Sequence, residues 1–251
     1  MNLERFKLAK AEELERLRVL EGKIAGREPC APRPFLTPRG EGESIRIIAE
    51  YKRASPSRGV INERLTPEEI AVCYTAGGAS AISVLTEETY FHGKLDFLHR
   101  VASRSDLPLL RKDFIFDAAQ VRETAATPAS ALLLMVALTP DAGLLRELRE
   151  LAESFGMTAV VEVFNERELE IARDTGAKVI QVNNRNLETL NVDVTASTRL
   201  ITLKREGEIW ISASGYETRA QLDALVGYDA ALVGTSLMEA TDPRAALEAL
   251  T

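Results

Sequence analysis

The chain has 251 residues, of which 45% are hydrophobic and 27% are charged, and its net charge is -7. This length is sufficient for one sizeable globular core. With 31 Lys and Arg against 38 Asp and Glu, the composition argues against a nucleic-acid partner, and no run of 18 apolar residues could cross a bilayer. The first twenty residues alternate charges with Leu and Phe, unlike a signal peptide. We therefore expect a cytoplasmic protein that binds a small molecule.

The two cysteines do not form a metal-binding motif. Cys30 lies in a Pro-rich segment and Cys73 in a helical pattern, and neither has the Cys or His spacing of a metal site. We expect both to be reduced thiols, and we expect no metal and no cofactor.

In chain order, an N-terminal helix is predicted over roughly 2–23, where Leu and Phe recur among charges, and a loop rich in Pro, Gly and Glu over 27–43. Eight short apolar runs then alternate with helical segments. Each run is too short for a buried helix and is typical of a buried parallel strand. The runs are 45–49, 79–85, 107–112, 131–136, 159–163, 179–183, 209–214 and 230–233.

This eightfold alternation predicts an α/β fold, a (β/α)8 TIM barrel with an extra N-terminal helix. We expect one domain over 1–251, with the helix and loop at 1–43 and the barrel at 44–251, and a monomer. An open, doubly wound sheet is the alternative, but it would normally use fewer strands at this length.

Polar side chains end several of the predicted strands. In a barrel, functional residues lie at the C-terminal ends of the strands, and a charge inside an apolar strand is costly to bury without a partner or a task. We expect these side chains to converge on one mouth, although each alone could be a rim charge in a salt bridge. They are Glu50, Lys52, Lys112, Glu162, Gln181 and Asn183, with Arg185 just beyond.

Three loops look suited to an anion. Backbone N–H groups at turns and helix starts favour phosphate, and the loops after the last two barrel strands are its usual place in this fold. We therefore expect phosphate or sulfate to bind here. The loops are 55–59, the turn at Ser214 and Gly215, and the turn at Gly234 and Thr235.

Five sequence strings resemble indole-3-glycerol phosphate synthase, a barrel enzyme of tryptophan biosynthesis: IIAEYKRASPSRG, SVLTEETYFHG, LPLLRKDFIFD, NNRNLETLNVD and LVGTSLM. The resemblance covers essentially the whole chain. It implies a phosphorylated substrate, a carboxyphenylamino-deoxyribulose phosphate, that loses carbon dioxide and water as the indole ring closes.

The resemblance also implies roles for individual residues. Lys112 would be the general acid at the substrate carbonyl, Glu162 its partner acid and base, and Lys52 a contact of the substrate carboxylate. The remaining substrate shell would be Glu50, Asn183, Arg185 and Phe114. The phosphate would be held by Ser55, Ser214, Gly215, Gly234 and Thr235.

Three positions depart from the family's usual pattern. Ala213 stands where S-E-S-G has its glutamate, Gln181 where I-G-I-N-N-R has its glycine, and Phe164 where V-E-V-H has its histidine. All three are predicted to point into the barrel, with Gln181 filling substrate space. Together they predict a pocket rebuilt by design.

The function predicted for that pocket is proton abstraction from carbon, as in a designed Kemp eliminase. Glu162 would be the base, Gln181 would stabilise developing negative charge, and Phe164 would stack on a small aromatic substrate. The alternatives are the native synthase with impaired activity, a designed retro-aldolase using Lys52 or Lys112, and a catalytically silent phosphate-binding barrel.

Overall fold

The computed structural model of the chain describes residues 3–24, 35–40, 42–186 and 189–251. Cys30 and residues 27–34 of the predicted loop lie outside this part. Within it, Cys73 is a free thiol, and no helix is both long and apolar enough to cross a membrane.

Eight parallel strands close into a barrel, which confirms the predicted fold. Around the barrel each strand pairs with the next barrel strand in sequence, and the last, β10 (Ala230–Val233), pairs with the first, β1 (Arg46–Tyr51). The strands are β1 (Arg46–Tyr51), β4 (Ala81–Leu85), β5 (Leu109–Ile115), β6 (Ala131–Met135), β7 (Thr158–Val163), β8 (Val179–Asn183), β9 (Ile209–Ala213) and β10 (Ala230–Val233). Two short strands absent from the prediction, β2 (Ala54–Ser55) and β3 (Gly59–Val60), form an antiparallel hairpin after β1.

Burial on both faces explains why the barrel strands are continuous apolar runs. Inward side chains such as Ile48, Leu133 and Val160 fill the barrel. Outward side chains such as Trp210 pack against the helices in a second core cluster. The polar residues among the inward positions are therefore exceptions, and they gather near the C-terminal ends of the strands.

Helices surround the barrel, and several begin at a side chain that caps the first turn. Thr66 and Glu69 form a capping box at the start of α3 (Pro67–Ala76), and Asp141 caps α6 (Ala142–Ser154). The helices after β3 are α3 (Pro67–Ala76), α4 (Asp96–Ala102), α5 (Ala118–Ala125), α6 (Ala142–Ser154), α7 (Glu166–Asp174), α8 (Thr195–Leu200), α9 (Arg219–Asp223), α10 (Thr235–Glu239) and α11 (Pro243–Glu248).

The N-terminal segment forms two helices instead of the one predicted: α1 (Glu4–Ala9) and α2 (Ala11–Ile24). Lys10 lies between them and turns inward, where its ammonium contacts the Asp113 carboxylate at 2.6 Å. Phe6 of α1 is buried with the residues that fill the barrel. The N-terminal helices are thus fastened to β5, the strand that carries Lys112.

Candidate active site

A cavity of about 580 Å³ opens at the C-terminal ends of the barrel strands. It contains nearly all of the polar residues predicted to converge there. Those that line it are Glu50, Lys52, Lys112, Glu162, Asn183 and Arg185, together with Glu87 and Asp113. Glu217 also lines the cavity, so the described residues bring two lysines and five carboxylates to one mouth.

An irregular strand places three consecutive residues of β5 at this cavity. The pairing of β5 with β6 shifts register between Arg111 and Ile115. A regular strand would turn alternate side chains away, but Lys112, Asp113 and Phe114 all line the cavity. The shift gives the site a cation, a carboxylate and an aromatic ring from one short segment.

Lys112 and Glu162 form the centre of the site. Lys112 Nζ lies 3.7 Å from Glu162 Oε2, and the Glu162 carboxylate is almost fully buried. Gln181 Nε2 donates a hydrogen bond of 2.5 Å to the same oxygen. A proton donor and a proton acceptor thus stand side by side at the cavity, an arrangement suited to general acid and base catalysis.

A second ion pair stands on β1. Lys52 Nζ lies 2.7 Å from Glu50 Oε1, and Glu50 Oε2 is buried without a hydrogen-bond partner among the described atoms. Gly234 makes room for this carboxylate, because a Cβ at position 234 would come within 2.5 Å of Glu50 Oε1. Any side chain at this position would therefore displace Glu50.

Two guanidinium groups at the mouth favour an anion. Arg185 is half-buried and donates to the Leu190 carbonyl at 3.0 Å. Burial lowers the pKa of Arg185, and so does the positive charge of Arg58, while the charge of Glu50 opposes the shift. Both arginines line the cavity, so a bound anion would relieve their repulsion.

The predicted phosphate loops also reach the cavity. Ser55, Ser214, Gly215, Gly234 and Thr235 all line it. Ser214 and Gly215 both adopt left-handed backbone conformations, with φ of 72° and 96°. At Gly215 a Cβ would also come within 2.7 Å of Val192 Cγ1, so glycine is required there for two reasons.

An aromatic wall forms one part of the cavity. The rings of Phe6 and Phe114 stack with centroids 4.0 Å apart, and Phe91 lies tilted 6.1 Å from Phe114. All three line the cavity, which can therefore accept a flat apolar ring beside its charged groups.

A model of the indole-3-glycerol phosphate synthase family matches residues 7–250. The chain belongs to this family. The sequence resemblance is thereby confirmed, and the chain is a lyase with a TIM barrel, of a family that acts in tryptophan biosynthesis.

Two relatives show how far the similarity extends. The indole-3-glycerol phosphate synthase of Carboxydothermus hydrogenoformans is 40% identical over 239 residues, which covers 94% of this chain and 90% of the relative. That of Chloroherpeton thalassium is 47% identical over 214 residues, covering 83% and 82%.

Solved structures show the same fold at low sequence identity. The 3-hexulose-6-phosphate synthase of Salmonella typhimurium matches with a TM-score of 0.66 at 14% identity, covering 82% of this chain and 96% of that one. KGPDC from Streptococcus mutans matches with a TM-score of 0.61 at 12% identity, covering 83% and 96%. These similarities concern the barrel alone.

The predicted Kemp-eliminase function is wrong. Relatives 40% to 47% identical over most of the chain are indole-3-glycerol phosphate synthases, which favours the alternative of a synthase over a designed eliminase. Neither Gln181 nor Phe164 is among the described residues that line the cavity.

Phe164, which the alternation of side chains along β7 would place on the same face as Glu162, lies just beyond the end of that strand. Strand β7 ends at Val163, so the alternation of side chains stops before position 164. Phe164 belongs instead to the turn that leads into α7, and its backbone N–H donates to Glu168 Oε2 at 2.9 Å.

Gln181 does point into the barrel, but it lies fully buried next to Glu162 and does not fill the space open to a substrate. Its Oε1 has no hydrogen-bond partner among the described atoms. A buried acceptor of this kind destabilises a protein by roughly 1–3 kcal/mol. Ala213, by contrast, lines the cavity as expected.

Sequence reasoning missed Phe6, Phe91 and Glu87. Phe6 is one apolar residue on a helix, and nothing in that pattern distinguishes a cavity wall from a core position. Glu87 is buried, and its carboxylate accepts from the backbone N–H groups of Tyr90 at 2.7 Å and Phe91 at 3.1 Å. Burial raises the pKa of Glu87, and the hydrogen bonds from the backbone N–H groups of Tyr90 and Thr89 oppose the shift. The carboxylate fixes the loop that presents Phe91.

Metal ligands do not cluster in the part of the chain that the structure describes. No group of three or more His, Cys, Asp or Glu residues there could hold a metal ion.

Proposed function

We propose that this chain closes the indole ring of a carboxyphenylamino-deoxyribulose phosphate, giving indole-3-glycerol phosphate, carbon dioxide and water. The observation that carries the proposal is the Lys112 and Glu162 pair, 3.7 Å apart at the cavity. Family membership and the aromatic and cationic walls support it.

The three parts of the substrate match three parts of the cavity. The carboxyphenyl ring would stack on the aromatic wall of Phe6, Phe91 and Phe114. Lys52, paired with Glu50, would attract the ring carboxylate. The phosphate would lie near the mouth, against Arg185 and the backbone of the glycine turns. Bound in this way, the ring carbon would face the ribulose carbonyl near Lys112.

The reaction then needs three proton transfers. As the ring carbon attacks the carbonyl carbon, Lys112 donates a proton to the carbonyl oxygen, which becomes a hydroxyl. The carboxylate on the attacked ring carbon leaves as carbon dioxide and returns its bonding electrons to the ring. Lys112, reprotonated from solvent at the mouth, donates a second proton to the hydroxyl, which leaves as water. Glu162 accepts the proton that is lost from carbon as the double bond forms.

The proposal is tested with the purified chain and the substrate itself. We expect an indole product, followed by its fluorescence, and one carbon dioxide released for each indole formed. A folded protein that binds phosphate but makes no indole would contradict the proposal and favour the silent barrel instead.

Inorganic phosphate should inhibit the reaction competitively, because it would occupy the place of the substrate phosphate. It should raise the apparent KM and leave kcat unchanged. The Gly215→Ala variant should weaken both substrate and phosphate binding, since its Cβ would meet Val192 on a strained backbone with φ of 96°. The measurement is the inhibition constant for phosphate in both proteins.

Gly207→Ala is the matched control for this prediction. Gly207 also has a left-handed backbone, with φ of 81°, but a Cβ there meets nothing within 4 Å, and the residue does not belong to the cavity lining that the structure describes. Its phosphate inhibition constant should equal that of the parent. If phosphate binding were weakened equally in both variants, backbone strain would be responsible, and not the loss of the Gly215 turn as a phosphate contact.

A further inference from the structure

Gln181 makes one contact that bears directly on the proposed chemistry. It is paired in register with Glu162 on the neighbouring strand, and its Nε2 donates to Glu162 Oε2 at 2.5 Å. An ionised carboxylate can only accept hydrogen bonds, so the amide nitrogen must face Glu162. The amide oxygen is left buried, with no partner among the described atoms.

Lys112 approaches the same carboxylate oxygen from the cavity, at 3.7 Å. Opposite charges attract strongly where a carboxylate is buried, and a relaxed hydrogen bond between them is about 2.7–2.9 Å long. The observed separation is longer than that relaxed length.

We propose that Gln181 is a positioning residue that keeps the Glu162 carboxylate from closing onto Lys112. Without it, the acid and the base would neutralise each other in a direct ion pair. With it, both remain available to the substrate. The inference rests on the function proposed above, since it assigns Gln181 a task only if Lys112 and Glu162 transfer protons.

The unpartnered amide oxygen supports a functional role over a structural one. An apolar side chain of similar size would fill the same space without leaving a buried acceptor unsatisfied. Gln181 therefore lowers stability where it stands, while its amide nitrogen contacts the proposed base. Residues that trade stability for activity in this way are typical of functional sites.

The test is Gln181→Met, which retains the length of the side chain and removes both the donor and the unsatisfied acceptor. We expect kcat to fall about tenfold, the scale set by one hydrogen bond to a charged group, while KM changes by less than about twofold. The melting temperature should stay equal or rise. A lower kcat in a more stable protein is a result that a merely structural role would not give.

Ser83→Ala is the matched control. Ser83 is a fully buried residue of β4 whose hydroxyl also has no partner among the described atoms, and it is not among the described residues that line the cavity. Its replacement should affect stability in the same direction and leave kcat unchanged. Gln181→Leu repeats the test with a second apolar side chain if the methionine variant does not fold.

Crystal structures of the ligand-free parent and variant give a readout that does not depend on activity. The distance from Lys112 Nζ to the Glu162 carboxylate should shorten from 3.7 Å to about 2.8 Å in the variant. An unchanged distance, an unchanged kcat, or a loss of kcat matched by a loss of stability would each overturn the inference. A parent without ring-closing activity would instead overturn the proposed function.

Discussion

Lys112→Met should reduce kcat for ring closure by about 10²- to 10³-fold, the usual effect of removing one positioned group that stabilises developing charge. The variant loses the proton donor next to Glu162 but keeps a side chain of similar length. Because Lys52, Arg185 and the aromatic wall are untouched, KM should change much less. Steady-state kinetics of both proteins on the same substrate preparation give the two constants separately.

Lys94→Met is the control for this variant. Lys94 is exposed and lies outside the described cavity lining, so the same chemical change should leave both constants unaltered. If Lys112→Met instead retained a kcat within a few fold of the parent, Lys112 would not be the acid. Lys52 would then be the first replacement, because it is the other lysine that lines the cavity.

The barrel could be predicted from sequence because its strands are buried on both faces and read as unbroken apolar runs. The exact geometry of their ends could not. The alternation rule places Glu162 and Phe164 on one face, but β7 stops at Val163, so the rule does not extend to position 164. The same rule turns Asp113 away from the site, and it fails because the register of β5 shifts there. Strand ends depend on contacts with neighbouring strands, which a local pattern does not contain.

Residues distant in sequence were harder still to predict. Phe6 lies more than a hundred positions before Phe114, yet the two rings stack with centroids 4.0 Å apart.

Gln181 illustrates a different difficulty. The sequence correctly predicts that Gln181 points into the barrel. In the structure, however, its amide donates a hydrogen bond to the neighbouring Glu162 and not to the space open to a substrate. The direction of a side chain follows from the periodicity of its strand, whereas its function depends on the residues that it contacts.

The contact between the N-terminal helices and β5 is a buried ion network. Lys10 and Asp113 are 2.6 Å apart and almost fully buried, and Arg111 contacts Asp113 at 3.2 Å. Burial alone would raise the pKa of Asp113, but the charges of Lys10 and Arg111 outweigh it and hold the pKa below its usual range. The network places the N-terminal helices directly next to Lys112, so its integrity bears on both stability and catalysis.

Lys10→Met should lower the free energy of unfolding by about 3 kcal/mol at neutral pH, since removing one partner leaves a buried charge partly uncompensated. Lys7→Met is the matched control on the same N-terminal segment. Lys7 contacts Glu4 at 3.5 Å in a partly exposed pair, and such a pair contributes about 1 kcal/mol or less. Urea denaturation of the parent and both variants measures the difference.

The same network predicts how stability depends on pH. A carboxylate whose pKa is depressed by folding adds stability above its unfolded pKa, and this contribution is lost as the pH falls through the folded value. Without Lys10 the pKa of Asp113 is depressed less, so Lys10→Met should unfold at a higher pH than the parent during acid titration.

Adding Asp113→Asn to Lys10→Met removes the uncompensated carboxylate, while Arg111 keeps its contact with Glu123 at 2.8 Å. The double variant should therefore recover part of the lost stability. If Lys10→Met were no less stable than Lys7→Met, or if the double variant recovered nothing, the buried pair would not be what fastens the N-terminal helices to β5.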